Sequence, residues 1–201
     1  MNDQVCIAWS DLTLFRSSLL SSKVVLNSIS GYANFGTITA VMGPSGSGLT
    51  SLLIALNGFK GFSDRYLDQK TKIFLNQNTK IDSIFIDHNE KDYLIMGLTV
   101  KQNLIYSSKL KNSSISGNIS HELNVQKVLS ELMIVDIADN TTADCSGGEL
   151  KRVAIAQELT ALNKPNLILI DEPTTGLDSH IASVVSYKII YYARLMLGLS
   201  C

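Results

Sequence analysis

The sequence predicts an α/β fold, a sheet-and-helix core with a small β region ahead of it and a helical block inserted into it. Three observations carry that prediction. Thr37-Ile38-Thr39-Ala40-Val41-Met42 runs into a glycine loop, Gly43 to Gly48, and then into the helical stretch Ser51 to Leu56. A second apolar run, Asn166 to Ile170, ends in Asp171-Glu172-Pro173, as a strand buried on both faces of a parallel sheet would. Between them, Thr99 to Leu162 changes to helical periodicity. A chain of 201 residues has room for one domain, or a core with one inserted subdomain.

Taken in order, residues 4 to 40 alternate apolar and polar groups in short runs: Val5 to Trp9, Leu12 to Phe15 and Val24 to Leu26. Serines and Gly31 break these runs, which is the pattern of strands and turns. The segment Thr37 to Met42, the loop and Ser51 to Leu56 then read as strand, glycine loop and helix. Ile73 to Leu75 and Ser83 to Ile86 read as further strands, followed by a loop from Asp87 to Asp92. In the helical block Leu123, Val125, Val128, Leu129, Leu132 and Met133 recur at three- and four-residue spacing, as do Leu150, Val153, Ala154 and Ala156. Ser107 to Ser120, rich in Ser and Asn, reads as an exposed connection between its first two helices. Ile181 to Ser200 is interrupted by Lys188 and Arg194 and reads as an amphipathic or buried helix; a membrane span needs about 20 apolar residues.

Composition narrows the function classes. Hydrophobic residues make up 45% of the chain and charged ones 17%, so it is globular and not low-complexity. Lys+Arg 17 against Asp+Glu 18 gives a net charge of -1 with no dense basic run, which argues against a nucleic-acid surface. Cys6, Cys145 and Cys201 are widely spaced and contain no CxxC pair, which argues against a disulfide framework or zinc site and for a reducing, cytosolic setting. Asp3 and the lack of an apolar run at the start exclude a secretory signal, leaving the sequons at Asn112 and Asn140 as chance.

The chemistry concentrates in three places. A glycine loop between strand and helix can turn its backbone N–H groups onto phosphates at the positive end of the helix, and Gly43, Gly46 and Gly48 are spaced for this. In the full phosphate-loop pattern a lysine follows the last glycine and a Ser or Thr then holds magnesium. Here Leu49 takes the lysine position and Thr50 keeps the magnesium role, so the loop alone does not exclude an ordinary strand-to-helix turn. Asp171, at the carboxyl end of its strand, is placed to serve magnesium, and Glu172 to polarise an attacking water; the bland alternative is a pair of acids capping a turn before Pro173. Ser146-Gly147-Gly148-Glu149-Leu150 offers a second anion site, with Ser146 capping a helix and the glycines exposing N–H groups at its start. His88, His121 and His180 are scattered without ligand spacing and read as solvated side chains. Trp9 and Phe15 are candidates to stack on a base, with core packing the alternative.

Three segments, GPSGSGLTSLL at 43 to 53, CSGGELKRVAIAQEL at 145 to 159 and NLILIDEPTTGLDS at 166 to 179, together resemble the nucleotide-binding domain of ABC transporters. The resemblance covers nearly the whole chain. LNSISGYANFGTITAVMGPSG, LTVKQNLIYSS and EPTTGLDSHIAS are most similar to the white/pleiotropic-drug-resistance (G) subfamily, whose members carry this domain ahead of a six-helix membrane domain and move lipids, sterols, pigment precursors and drugs.

That resemblance implies a P-loop NTPase (RecA-like) core with an N-terminal antiparallel β subdomain and an inserted helical subdomain. Residues 1–93 and 163–201 would form the core and 94–162 the helical signature subdomain. It implies ATP and Mg2+ as cofactors. The partners would be a second ABC nucleotide-binding domain, as homo- or heterodimer, and a transporter's transmembrane domain at the cytoplasmic face of a membrane. Each ATP would lie between one chain's phosphate loop and the other's signature motif. Carried over by position, Gly43, Pro44, Ser45, Gly46, Ser47, Gly48, Leu49, Thr50 and Ser51 would line the phosphates, with Thr50 and Asp171 serving the metal. Glu172 would be the catalytic base, Ser146, Gly147, Gly148 and Glu149 would touch the partner's ATP, and Asp178 would belong to the dimer-contact loop. The family activity is ATP hydrolysis coupled to transport. Three departures imply that hydrolysis at the chain's own site is impaired. Leu49 removes a charge-assisted contact of about 1.5 to 3 kcal/mol. Lys91, or His88 or Glu90 in other alignments, stands where the family has a glutamine. The chain also ends at Cys201, before the strand that precedes the switch histidine. The alternative expectation is a free-standing regulatory or vestigial nucleotide-binding module without transport or hydrolysis.

Overall fold

The computed structural model describes residues 4–17, 21–58, 65–87, 89 and 93–195, with the backbone alone for 191–195. The chain divides into two compact units, one of Met1–Phe85, Pro165–Asp171 and Tyr192–Cys201, the other of Ile86–Lys164 and Glu172–Tyr191.

The first unit is built on two long strands, β1 (Val5–Ser17) and β2 (Ser22–Asn34), paired antiparallel from Val5↔Asn34 to Ser17↔Ser22. Their alternation buries Ile7, Trp9, Leu12 and Leu14 of β1 and Leu26 of β2. Register shifts fall between Trp9 and Leu14, where Asp11 has φ 51 and Ser28 of β2 also has φ 51. Side chains satisfy the interrupted ladder: Ser30 Oγ accepts from Asp11 N, Thr13 Oγ1 accepts from Ser28 N, and Ser28 Oγ donates to the Asp11 carboxylate. On the other side of β1 lie β3 (Arg65–Leu67), through Leu14↔Leu67, and β4 (Lys72–Leu75), through Ile7↔Leu75, both antiparallel. β3 was not expected. Three residues are too few to display an alternation. Helix α1 (Leu49–Leu56) lays Leu52, Ala55 and Leu56 into the core with Ile7, Trp9, Leu12, Leu14 and Leu26. Leu169 of β6 (Leu167–Ile170) joins the same cluster.

Two expectations for this unit are corrected. Thr37 to Met42 forms no strand; the segment is unpaired, with Ile38 and Val41 exposed and Met42 exposed at 88%. Its pattern encodes a preference for extended backbone, whereas a strand requires a partner's N–H and C=O groups, and no described strand supplies them. β6, expected to be buried on both faces, pairs with β5 (Ser83–Ile86) in a two-stranded sheet. Leu169 is buried and Leu167, Ile168 and Ile170 are only half-buried, because apolar residues in succession report hydrophobicity and not the number of neighbouring strands.

The second unit holds α2 (Val100–Lys111), α3 (His121–Glu131), α4 (Gly147–Leu159) and, as far as Tyr191, α5 (Ser179–Leu195). The helical periodicity of Thr99 to Leu162 is realised in the first three. Val100, Leu104, Val125, Val128, Leu129, Leu150, Val153 and Ala156 make the common core. Thr99 starts α2 with a capping box to Gln102. The connection expected from Ser107 to Ser120 begins later, since α2 continues to Lys111 and buries Ser107, Ser108 and Asn112. These polar groups are inside because they are paired. Asn112 Nδ2 donates to Thr160 O at 3.0 Å, its Oδ1 accepts from Leu162 N at 2.8 Å, and Ser107 Oγ donates to Gln157 O. Among the described residues, no helix is long and apolar enough to cross a membrane.

Candidate functional site

The glycine loop leads into α1 through Gly48, which precedes the helix with φ 95. A Cβ there would sit 2.7 Å from Leu26 Cδ2 and 3.2 Å from the carbonyl oxygen of Val25, so both the backbone conformation and the close approach to β2 require glycine. Gly46 has φ 80, and Ser47 N–H closes a turn on Pro44 O at 3.1 Å. Residues 43 to 47 are exposed, while Gly48, Leu49, Thr50 and Ser51 are half-buried. Leu49 opens the helix with an apolar side chain.

Core packing brings the two metal candidates together. Leu169 lies in the same buried cluster as Leu52 of α1, and Asp171, two residues further on, continues along the same side of the chain. Thr50 Oγ1 donates to Asp171 Oδ2 at 2.7 Å, and Asp171 is only 6% exposed. A hydroxyl and a carboxylate oxygen converging at a helix start are hard oxygen donors of the kind magnesium takes, so these residues fit the ion the resemblance implies.

Glu172 follows at once and is unusual in its backbone. Its φ of 48 is left-handed for a residue with a Cβ, a state that costs about 1 to 3 kcal/mol unless its surroundings hold it. Its carbonyl oxygen accepts from Lys151 Nζ at 2.7 Å and from Thr175 N at 3.3 Å. The carboxylate side chain is exposed. Asp178 ends this loop as the cap of α5, accepting from His180 N at 2.9 Å and Ile181 N at 3.0 Å. The bond from Ile181, aided by that from His180, holds its carboxyl below the usual carboxylate range.

Ser146 caps α4 as expected, in a capping box with Glu149. The Glu149 carboxylate accepts from Ser146 Oγ and Ser146 N, both at 2.7 Å, and these bonds lower its pKa. Gly148 faces the Asp178 loop: a Cβ on it would meet Leu177 Cδ2 at 3.0 Å and Gly176 O at 3.2 Å. Burial, with Glu149 and Asp144 adding repulsion, raises the Cys145 thiol, so it stays protonated near neutrality.

The remaining candidates fall elsewhere. Trp9 is a core residue and Phe15 stacks on Tyr66 with ring centroids 5.2 Å apart. His121 is not simply solvated; its Nδ1 lies 3.0 Å from Ser108 Oγ, whereas His180 is exposed. His88, Glu90 and Lys91, the positions considered for the family glutamine, lie outside the described residues, as does Cys201. Lys151 was missed. Its signal was a lysine set three and four residues before the buried Ala154 and Ile155, on the apolar face of α4.

The fold and the phosphate-loop geometry define a nucleotide-binding domain of the P-loop class. The family described as ABC transporter matches residues 26–175, and the chain belongs to that family. It is 35% identical over 193 residues to ABC transporter G family member 7 of Arabidopsis thaliana, covering 90% of this chain and 26% of that protein. With ATP-binding cassette sub-family G member 5 of Homo sapiens it shares 32% identity over 196 residues, covering 92% of this chain and 29% of that one. The chain thus spans little more than a quarter of these relatives. Among solved structures, cbiO1 from Clostridium perfringens, part of the ABC transporter complex cbiONQ, superposes with a TM-score of 0.68 at 20% identity, covering 96% of this chain and 75% of that chain.

Proposed function

We propose that this chain is the ATP-binding domain of a G-type ABC transporter, working with a second nucleotide-binding domain to drive transport through a transmembrane domain. The observation that carries the reading is the 2.7 Å bond between Thr50 and Asp171, an oxygen pair at the start of the helix that follows a glycine loop. Thr50 and Asp171 would hold Mg2+, which would neutralise phosphate charge there. Backbone N–H groups of the 43 to 51 segment, Pro44 excepted, orient the phosphates, and the Glu172 carboxylate takes a proton from the attacking water.

Leu49 cannot donate to the phosphates. If the missing ammonium acts as an oxyanion-hole donor does, its loss slows hydrolysis by about 10² to 10³. The chain's main contribution is then to its partner's ATP, through Ser146, Gly147, Gly148 and Glu149. With the partner domain co-purified, Ser146→Arg is expected to abolish ATP turnover while Glu172→Gln changes it little. The reverse ranking would overturn the reading.

A further inference from the structure

The structure assigns to Lys151 a task beyond packing: we infer that its ammonium is the positioning group that holds the backbone of Glu172. This rests on the reading of Glu172 as the base. Lysine is almost never buried without a polar partner, yet Lys151 is 7% exposed on the core side of α4. Its Nζ donates to the carbonyl oxygen of Glu172 at 2.7 Å and reaches that of Thr175 at 3.4 Å. Those two carbonyls bracket the turn in which Glu172 has its left-handed φ of 48 and Thr175 N–H returns to Glu172 O. A cation drawing both oxygens to one point favours the turn over an extended backbone, and with it the direction in which the Glu172 side chain leaves the chain.

One turn earlier on the same helix, Gly148 approaches Gly176 O and Leu177 so closely that a Cβ would meet both at 3.0 to 3.2 Å. The helix that opens with Ser146 is therefore joined to residues 172 to 177 at two points. Lys151 is the polar one. Any shift of α4 at its ligand-facing start is transmitted to the carbonyl of Glu172 through that bond.

Lys151→Met keeps the apolar stem and removes the ammonium. In the full chain, amide hydrogen exchange across 172 to 177 is expected to rise about tenfold, the scale of one lost charge-assisted hydrogen bond, with the exchange of α2 and α3 unchanged. In the chain carrying Leu49→Lys, adding Lys151→Met is expected to lower kcat about tenfold with KM for ATP within about twofold, since the phosphates are held by 43 to 51. Lys151→Arg, which keeps a donor, restores part of both. Unchanged exchange in a folded Lys151→Met protein overturns the assignment, as does a rise in KM equal to the fall in kcat/KM. If the Met variant does not fold, Lys151→Gln, too short to reach Glu172 O, replaces it in both measurements. Full turnover by a Leu49→Lys, Glu172→Gln chain would instead remove Glu172 as base, and the exchange result then decides alone whether Lys151 holds the loop.

Discussion

Glu149 shows how one side chain ties a possible ligand surface to stability. Its carboxylate accepts the N–H and Oγ–H of Ser146, and those bonds hold its pKa below the ordinary value. A carboxyl depressed in the folded state contributes stability that is fully present above its unfolded pKa and is lost as pH falls through the folded one. Glu149 therefore supports the start of α4 at neutral pH, and that support fades below about pH 4. Because the group is only half-buried, the effect is small and screened by salt. Ser146→Ala removes the partner, so its acid-unfolding curve should lose this part of the pH dependence. A curve parallel to wild type down to about pH 3 would contradict the role. Leu49, by contrast, acts by what it lacks: the glycine turn and Thr50 are kept beside a side chain with no donor.

At the scale of elements, side-chain amides add polar ties to the apolar packing of the three-helix cluster. Both Asn112 of α2 and Asn124 of α3 donate to the carbonyl of Thr160, at 3.0 and 2.7 Å, just past the end of α4. Asn112→Ala strands Leu162 N–H and should destabilise the protein by about 1 to 3 kcal/mol. Thermal melting checks this; a melting temperature equal to wild type would show the amide to be dispensable. Such pairing also explains what could be read from the sequence. Strands β1 and β2 were legible as alternating runs, β4, β5 and β6 as short apolar runs, α3 and α4 by three- and four-residue spacing, and Ser146, Thr50 and Asp171 by motif. Ser107 and Asn112 looked like loop residues because their partners, Gln157, Thr160 and Leu162, lie some 50 positions away. Lys151 was hidden because its partners, the carbonyls of Glu172 and Thr175, lie in a loop 21 and 24 positions on, and Thr37 to Met42 has the pattern of a strand without a described strand to pair with.

For the whole molecule, the division of the chain falls between Asp171 and Glu172. The glycine loop and Thr50–Asp171 pair belong to one unit, and the signature helix, Lys151 and Glu172 belong to the other. Each unit holds its own polar constellation: an oxygen pair beside a glycine turn, and a helix start joined to a carboxylate-bearing loop. The chain belongs to the ABC transporter family and spans little more than a quarter of its G-family relatives.

We propose the loop before α1 as a magnesium-nucleotide site that lacks a donor at position 49. Titrating a fluorescent ATP analogue with Mg2+ into the wild-type chain and the Leu49→Lys variant tests it directly. The account predicts binding about 10- to 100-fold tighter in the variant, the equivalent of one charge-assisted hydrogen bond, and loss of that gain when Asp171→Asn is added. Equal affinity in both chains, or a gain indifferent to Asp171, would contradict it.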